Sequence, residues 1–165
     1  MSRFVVAPFV LALLLVASPA HAVEFTLDSY SIEVRDSDPG LVLYAKNLYD
    51  KPIDFALDYV GDSETFELFE IGTYETALNI EDDLKKYEVE ANFKFTAPPP
   101  AFEGEAGGYT GAGWFIKSFG YVDWSNPFEV KFGTNGLLGI TLEDVKFGLP
   151  GSTKVDATFT LLRKD

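Results

Sequence analysis

The sequence predicts an all-β fold: a single-domain antiparallel β-sandwich, jelly-roll or immunoglobulin-like in type, with about nine strands. Three observations carry this reading. Residues 87–95 set Tyr87, Val89, Ala91, Phe93 and Phe95 against Glu88, Glu90, Asn92 and Lys94 in strict alternation. A strand sends successive side chains to opposite faces, so this run has one apolar and one polar face. The same period recurs along the chain, turn residues separate the segments, and no segment has the period of an amphipathic helix.

Taken in order, residues 1–22 read as a signal peptide. Arg3 supplies a short basic start, 4–17 is an apolar run broken only by Pro8, and Ala20-His21-Ala22 is a small-x-small cleavage pattern. An apolar run of about 14 residues is too short for the roughly 20 that span a bilayer, so no membrane anchor is expected after cleavage. A lipoprotein anchor needs a cysteine, and the chain has none. The expected location is secreted or periplasmic. The domain is then 23–165, long enough for one core, and without disulfides packing alone must hold it.

The first strand covers 25–34, and Asp36-Ser37-Asp38-Pro39-Gly40 turns the chain. Residues 41–46 should form a second strand hairpinned to the first, with further strands at 53–59 and 65–71. Residues 72–84 do not alternate cleanly, and 79–84 fits a single helical turn or a polar loop. After the strand at 86–95, three consecutive prolines (98–100) and the glycine-rich stretch 104–113 read as a long surface connection, because proline cannot pair within a sheet. The remaining strands fall at 114–121, 127–132, 137–147 (after an Asn135-Gly136 turn) and 155–161.

The chemistry is defined mainly by what is missing. Beyond residue 22 there is no His, Cys or Met. That removes Ser-His-Asp and Cys-His nucleophilic sites, and metal or haem centres built on nitrogen and sulfur ligands. No catalytic residue is assigned and no enzyme is expected. A carboxylate-based secreted hydrolase is the reaction type that survives, but no pair of acids is singled out by spacing. The glycine cluster has no Lys-Ser/Thr after it and no helix to point at a phosphate.

Removal of Arg3 leaves 12 basic against 26 acidic residues, a net charge of −14. Such a chain repels phosphate backbones and anionic membranes, so nucleic acid is excluded as a partner. Ten acids and no Lys or Arg lie between Pro52 and Leu84, whereas the chain from Trp114 onward is balanced. This acidic stretch is either one solvated face or a surface that gathers cations or a basic partner. Asp36 and Asp38 are the candidate metal ligands, because alternate acidic turn residues beside a glycine resemble part of a calcium loop. Tyr109, Trp114 and Trp124 flank the expected loops and are the candidate ligand-binding aromatics; the other aromatics fall on apolar strand faces.

The favoured function is non-catalytic, with a structural, extracellular-matrix or adhesive role. Its partner would be a matrix or surface component, or a second copy of the chain through self-association. The alternative is a calcium- or carbohydrate-binding module, with calcium then the one expected cofactor.

Two stretches carry a family resemblance: Phe25-Thr26-Leu27-Asp28-Ser29-Tyr30 with Asp38-Pro39-Gly40-Leu41-Val42-Leu43, and Asn135-Gly136-Leu137-Leu138-Gly139-Ile140-Thr141-Leu142 with Asp156-Ala157-Thr158-Phe159-Thr160-Leu161. They resemble exported bacterial proteins of the PEP-CTERM, exosortase-sorted kind. The resemblance implies an extracellular or surface-layer role and supplies no catalytic residues. The chain departs from that family in ending at Lys164-Asp165 without the Pro-Glu-Pro signal, apolar helix and basic tail, which implies release rather than processing at the membrane. Amino-terminal sequencing of the exported protein should begin at Val23; a product that still carries residues 1–22 would refute the cleavage site.

Overall fold

The computed structural model describes residues 21–34, 36, 37, 39–114, 118–125 and 127–165. The expected signal peptide therefore lies outside the described residues, apart from His21 and Ala22. Among the described residues there are eleven strands: β1 (Val23–Glu33), β2 (Tyr44–Asn47), β3 (Ile53–Leu57), β4 (Ser63–Thr73), β5 (Tyr87–Ala97), β6 (Phe102–Trp114), β7 (Ser118–Trp124), β8 (Phe128–Phe132), β9 (Gly136–Leu142), β10 (Val145–Gly148) and β11 (Gly151–Arg163). They form two antiparallel sheets. Sheet A runs β10-β7-β6-β5-β1-β3, and sheet B runs β2-β4-β11-β9-β8. The sandwich follows from the alternation: each strand has one apolar face, and two such faces must meet.

The core between the sheets is largely aromatic. Phe93 and Phe95 come from β5 and Phe159 from β11; all three are buried, with ring centroids 6.1 and 5.9 Å apart across the sheets and edges turned to faces. Phe25 meets Phe132 in the same manner at 5.2 Å, and Phe95 stacks on Phe102 at 4.6 Å. Edge-to-face and offset packing suits the ring quadrupole, and large rings fill the space that a disulfide-free core must fill.

Three sequence expectations are corrected. The second strand does not hairpin to the first: β2 pairs with β4 in the opposite sheet. Leu41 and Leu43 are buried in the crossing segment before it, and Thr73 Oγ1 donates to the Val42 carbonyl at 2.6 Å. The chain thus leaves sheet A as soon as β1 ends. The stretch 137–147 is two strands, because Asp144 interrupts it by accepting the Trp124 N–H at 2.6 Å. β9 consequently stays in sheet B and β10 joins sheet A.

The third correction is the largest. The glycine-rich stretch 104–113 is not a loop; it is most of β6, an interior strand of sheet A. Its glycines lie opposite aromatic residues of the next strand: Gly108 faces Trp124, Gly111 faces Tyr121 and Gly113 faces Phe119. A Cβ on Gly108 would sit 2.8 Å from the Asp123 carbonyl oxygen and 2.9 Å from the Trp124 ring. Gly120 opposite Phe147 and Gly136 opposite Phe132 repeat the device. A bare glycine is a weak strand residue alone, but it gives a large cross-strand ring somewhere to lie, and the ring covers the backbone.

Gly107 differs, since a Cβ there meets nothing within 4 Å. Replacing Gly107 by Ser should therefore change unfolding free energy by no more than ~0.5 kcal/mol. Gly108→Val should lower it by ~1–3 kcal/mol through overpacking. Equal effects in a urea titration would contradict the strand assignment.

Candidate functional site

The outer face of sheet A carries a trough of about 550 Å³. Strand pairing alone assembles it. Glu33 of β1 lies directly opposite Glu90 of β5, Glu90 opposite Gly107 of β6, and Glu88 opposite Tyr109. Glu105 stands one row along, opposite Asn92. Asp36, just past the end of β1, completes a lining of five carboxylates: Glu33, Asp36, Glu88, Glu90 and Glu105. Among the described residues no Lys or Arg lines it.

Gly107 forms the floor, where the missing side chain leaves the backbone open. Tyr109 forms a wall with 43% of its surface exposed. Asn92 Nδ2 donates to Glu90 Oε1 at 2.9 Å, which fixes that carboxylate from the side. A smaller hollow of about 260 Å³ continues along the same strands, lined by Ser29, Ser31, Asn92, Lys94 and Glu103 among others. The two together form an elongated polar surface.

The pairing of Glu33 with Glu90 is the anomaly of this surface. Like charges directly opposite in an antiparallel pair destabilise it, and the side chains stand close, with Cβ atoms roughly 4.5–5.5 Å apart. Positions that break such local rules are where function is expected. None of the five carboxylates is buried.

The residues singled out in the sequence are placed as follows. Tyr109 and Asp36 both line the trough. Asp38 and the Trp114 side chain lie outside the described residues. Trp124 is corrected: it is 6% exposed and faces the core beneath Gly108, because β7 runs on through position 124 where a loop was expected. Among the described residues, no group of three or more His, Cys, Asp or Glu could hold a metal ion. Among the described residues no helix is long and apolar enough to cross a membrane, which leaves strand-based spanning aside.

The acids between 52 and 84 do not converge. Asp54 accepts from Thr26 Oγ1 at 2.7 Å, and Asp62 accepts the Asp58 and Ser63 amides in the turn between β3 and β4. Glu67 pairs with Lys154 at 2.6 Å on the outer face of sheet B, where both side chains are about half exposed. That contact holds the lysine's pKa above its ordinary value, chiefly through the hydrogen bond to Glu67. Glu75 accepts the Val42 amide at 2.9 Å, and Asp83 accepts the Asn79 amide at 2.6 Å. The last two pin the segment 74–86, which crosses from sheet B to sheet A and is further tied by the Ala112 amide donating to the Asp83 carbonyl at 2.9 Å. The stretch expected to form a turn or loop at 79–84 is one hydrogen-bonded turn capped by Asp83.

Sequence reasoning missed Glu33, Glu105 and Gly107 as partners of Glu88 and Glu90. Each sits on the polar side of its own strand, which was legible, but only the register brings them together. Asp83 is 1% exposed and its carboxylate accepts the Asn79 amide, so truncation to Ala removes a part-buried hydrogen bond to a charged group and should cost ~1–3 kcal/mol in chemical unfolding. A change under ~0.5 kcal/mol would show that the turn does not need its cap.

The chain matches no known family, and no characterised protein or solved structure resembles it closely enough to align.

Proposed function

We propose that this is an exported, non-catalytic adhesive module whose binding surface is the trough on sheet A, and that it holds an extended, amine-bearing glycan. The observation that carries this reading is the Glu33–Glu90 opposition inside an open cleft whose charged lining, among the described residues, is five carboxylates. A ligand ammonium placed between the two carboxylates relieves their repulsion, so binding energy is available from a defect of the free protein. Tyr109 offers a ring face to the apolar side of a sugar, and the bare backbone at Gly107 lets that sugar approach. Exposed carboxylates also accept hydroxyl hydrogen bonds in pairs. Acidic polysaccharides are turned away by the same charge. The leader pattern, the lack of His and Cys beyond residue 22 and the sequence resemblance to exosortase-sorted surface proteins agree with a matrix or surface setting.

The test uses calorimetry with glucosamine oligomers, their N-acetylated counterparts and an anionic oligosaccharide of equal length. Only the first should bind, with affinity that falls as salt rises. Glu33→Gln should weaken that binding on the order of tenfold. The same substitution should raise unfolding free energy by ~0.2–1 kcal/mol, because a like-charge pair is removed. Absent or salt-independent binding of the glucosamine oligomers would overturn the proposal, as would a Glu33→Gln protein that binds as well as the parent.

A further inference from the structure

Each sheet ends in short edge strands: β10 and β3 in sheet A, β2 and β8 in sheet B. An edge presents unpaired N–H and C=O groups that a further strand can meet, and natural sheets guard against this. Three edges carry charge of one sign only: Lys46 in β2, Asp54 in β3 and Lys146 in β10. β8 is different. Phe128-Glu129-Val130-Lys131-Phe132 is symmetric in shape about Val130 and places opposite charges at mirrored positions.

Glu129 and Lys131 are exposed, and neither has an ion-pair partner among the described residues. Val130 and Phe132 are buried, and Phe128 is half-buried on the same face. Pairing with β9 occupies one side of the strand, and among the described residues no other strand meets the opposite side.

We propose that β8 is a homodimer edge: two copies of the chain pair antiparallel about a two-fold axis through Val130. In that register Glu129 lies opposite Lys131 of the second copy, and Lys131 opposite its Glu129. Directly opposed residues share a face, so both ion pairs form on the outer side, while Val130 meets Val130 and Phe128 meets Phe132 on the apolar side. The register works whichever residues turn their backbone outward. Glu129 and Lys131 share one orientation, Phe128 and Phe132 the other, and either set can exchange N–H···O=C bonds with its mirror image. The contact is isologous, so it closes as a dimer and does not propagate into a fibre. Like-charged self-contacts disfavour the same pairing at the other edges.

An edge of five residues makes a small interface, in the class below ~1,200 Å² that belongs to transient complexes. Sedimentation equilibrium over ~10 µM to ~1 mM chain brackets such affinities. The parent protein should rise from monomer toward twice its mass. E129K and K131E should each weaken self-association on the order of tenfold or more, since each places two like-charged contacts in the pair. An equimolar mixture of E129K and K131E should recover dimer, because one chain then offers two positive and the other two negative residues. The doubly swapped E129K/K131E chain should dimerise as the parent does. Both side chains are exposed, so circular dichroism of the variants should match the parent and confirm folding. A parent protein that stays monomeric throughout would show that the charges only guard the edge. A dimer insensitive to either single reversal, or variants that fail to recover dimer when mixed, would place the interface elsewhere.

Discussion

The contact on which the rest depends is that of Phe159 with Phe93 and Phe95. β11 lies at the centre of sheet B, and β5 is an interior strand of sheet A. These rings hold the two sheets face to face with no disulfide. Phe159 also touches Phe55 and Phe66, at 5.2 and 6.1 Å between centroids, which draws the edge strand β3 and the long strand β4 into the same cluster. An aromatic core of this kind buries much apolar surface per residue, and edge-to-face contacts limit how the sheets can slide. Once β5 is fixed by its inner face, its outer glutamates have a fixed position too.

Sheet A therefore does two jobs with one strand period. Its inner face supplies the core, and its outer face presents Glu88 and Glu90 beside Glu33 and Glu105. The glycines of β6 serve both sides. Gly108, facing in, makes room for Trp124, while Gly107, facing out, leaves the trough floor bare. Much of the acidic charge is otherwise spent locally. Asp62, Glu75 and Asp83 accept backbone amides that turns and crossings would leave unsatisfied, which is ordinary structural work for carboxylates. Among the described residues the trough acids are distinguished from these by accepting no backbone amide, and Glu90 takes its hydrogen bond from the Asn92 side chain.

The two proposed surfaces belong to different sheets. The trough lies on the outer face of sheet A and the β8 edge borders sheet B, so neither needs the residues of the other. If both act, a dimer would present two troughs to one polymeric ligand, and effective concentration would then strengthen weak single contacts.

The sequence by itself determined the class of fold, the polarity of each strand and the kinds of chemistry that are absent. Those properties are local: alternation over 87–95 needs no knowledge of neighbours, and a chain without His or Cys beyond residue 22 cannot build a site from them. The glycines of 104–113 were misread for the complementary reason. A glycine run looks like a loop until the aromatic residue opposite each position is known, and Trp124 looks like a loop residue until β7 is seen to reach it. Which sheet each strand joins, and hence that Glu33 faces Glu90, was decided only by tertiary structure. Register couples residues 57 positions apart through hydrogen bonds and a shared core, and no local pattern encodes that pairing.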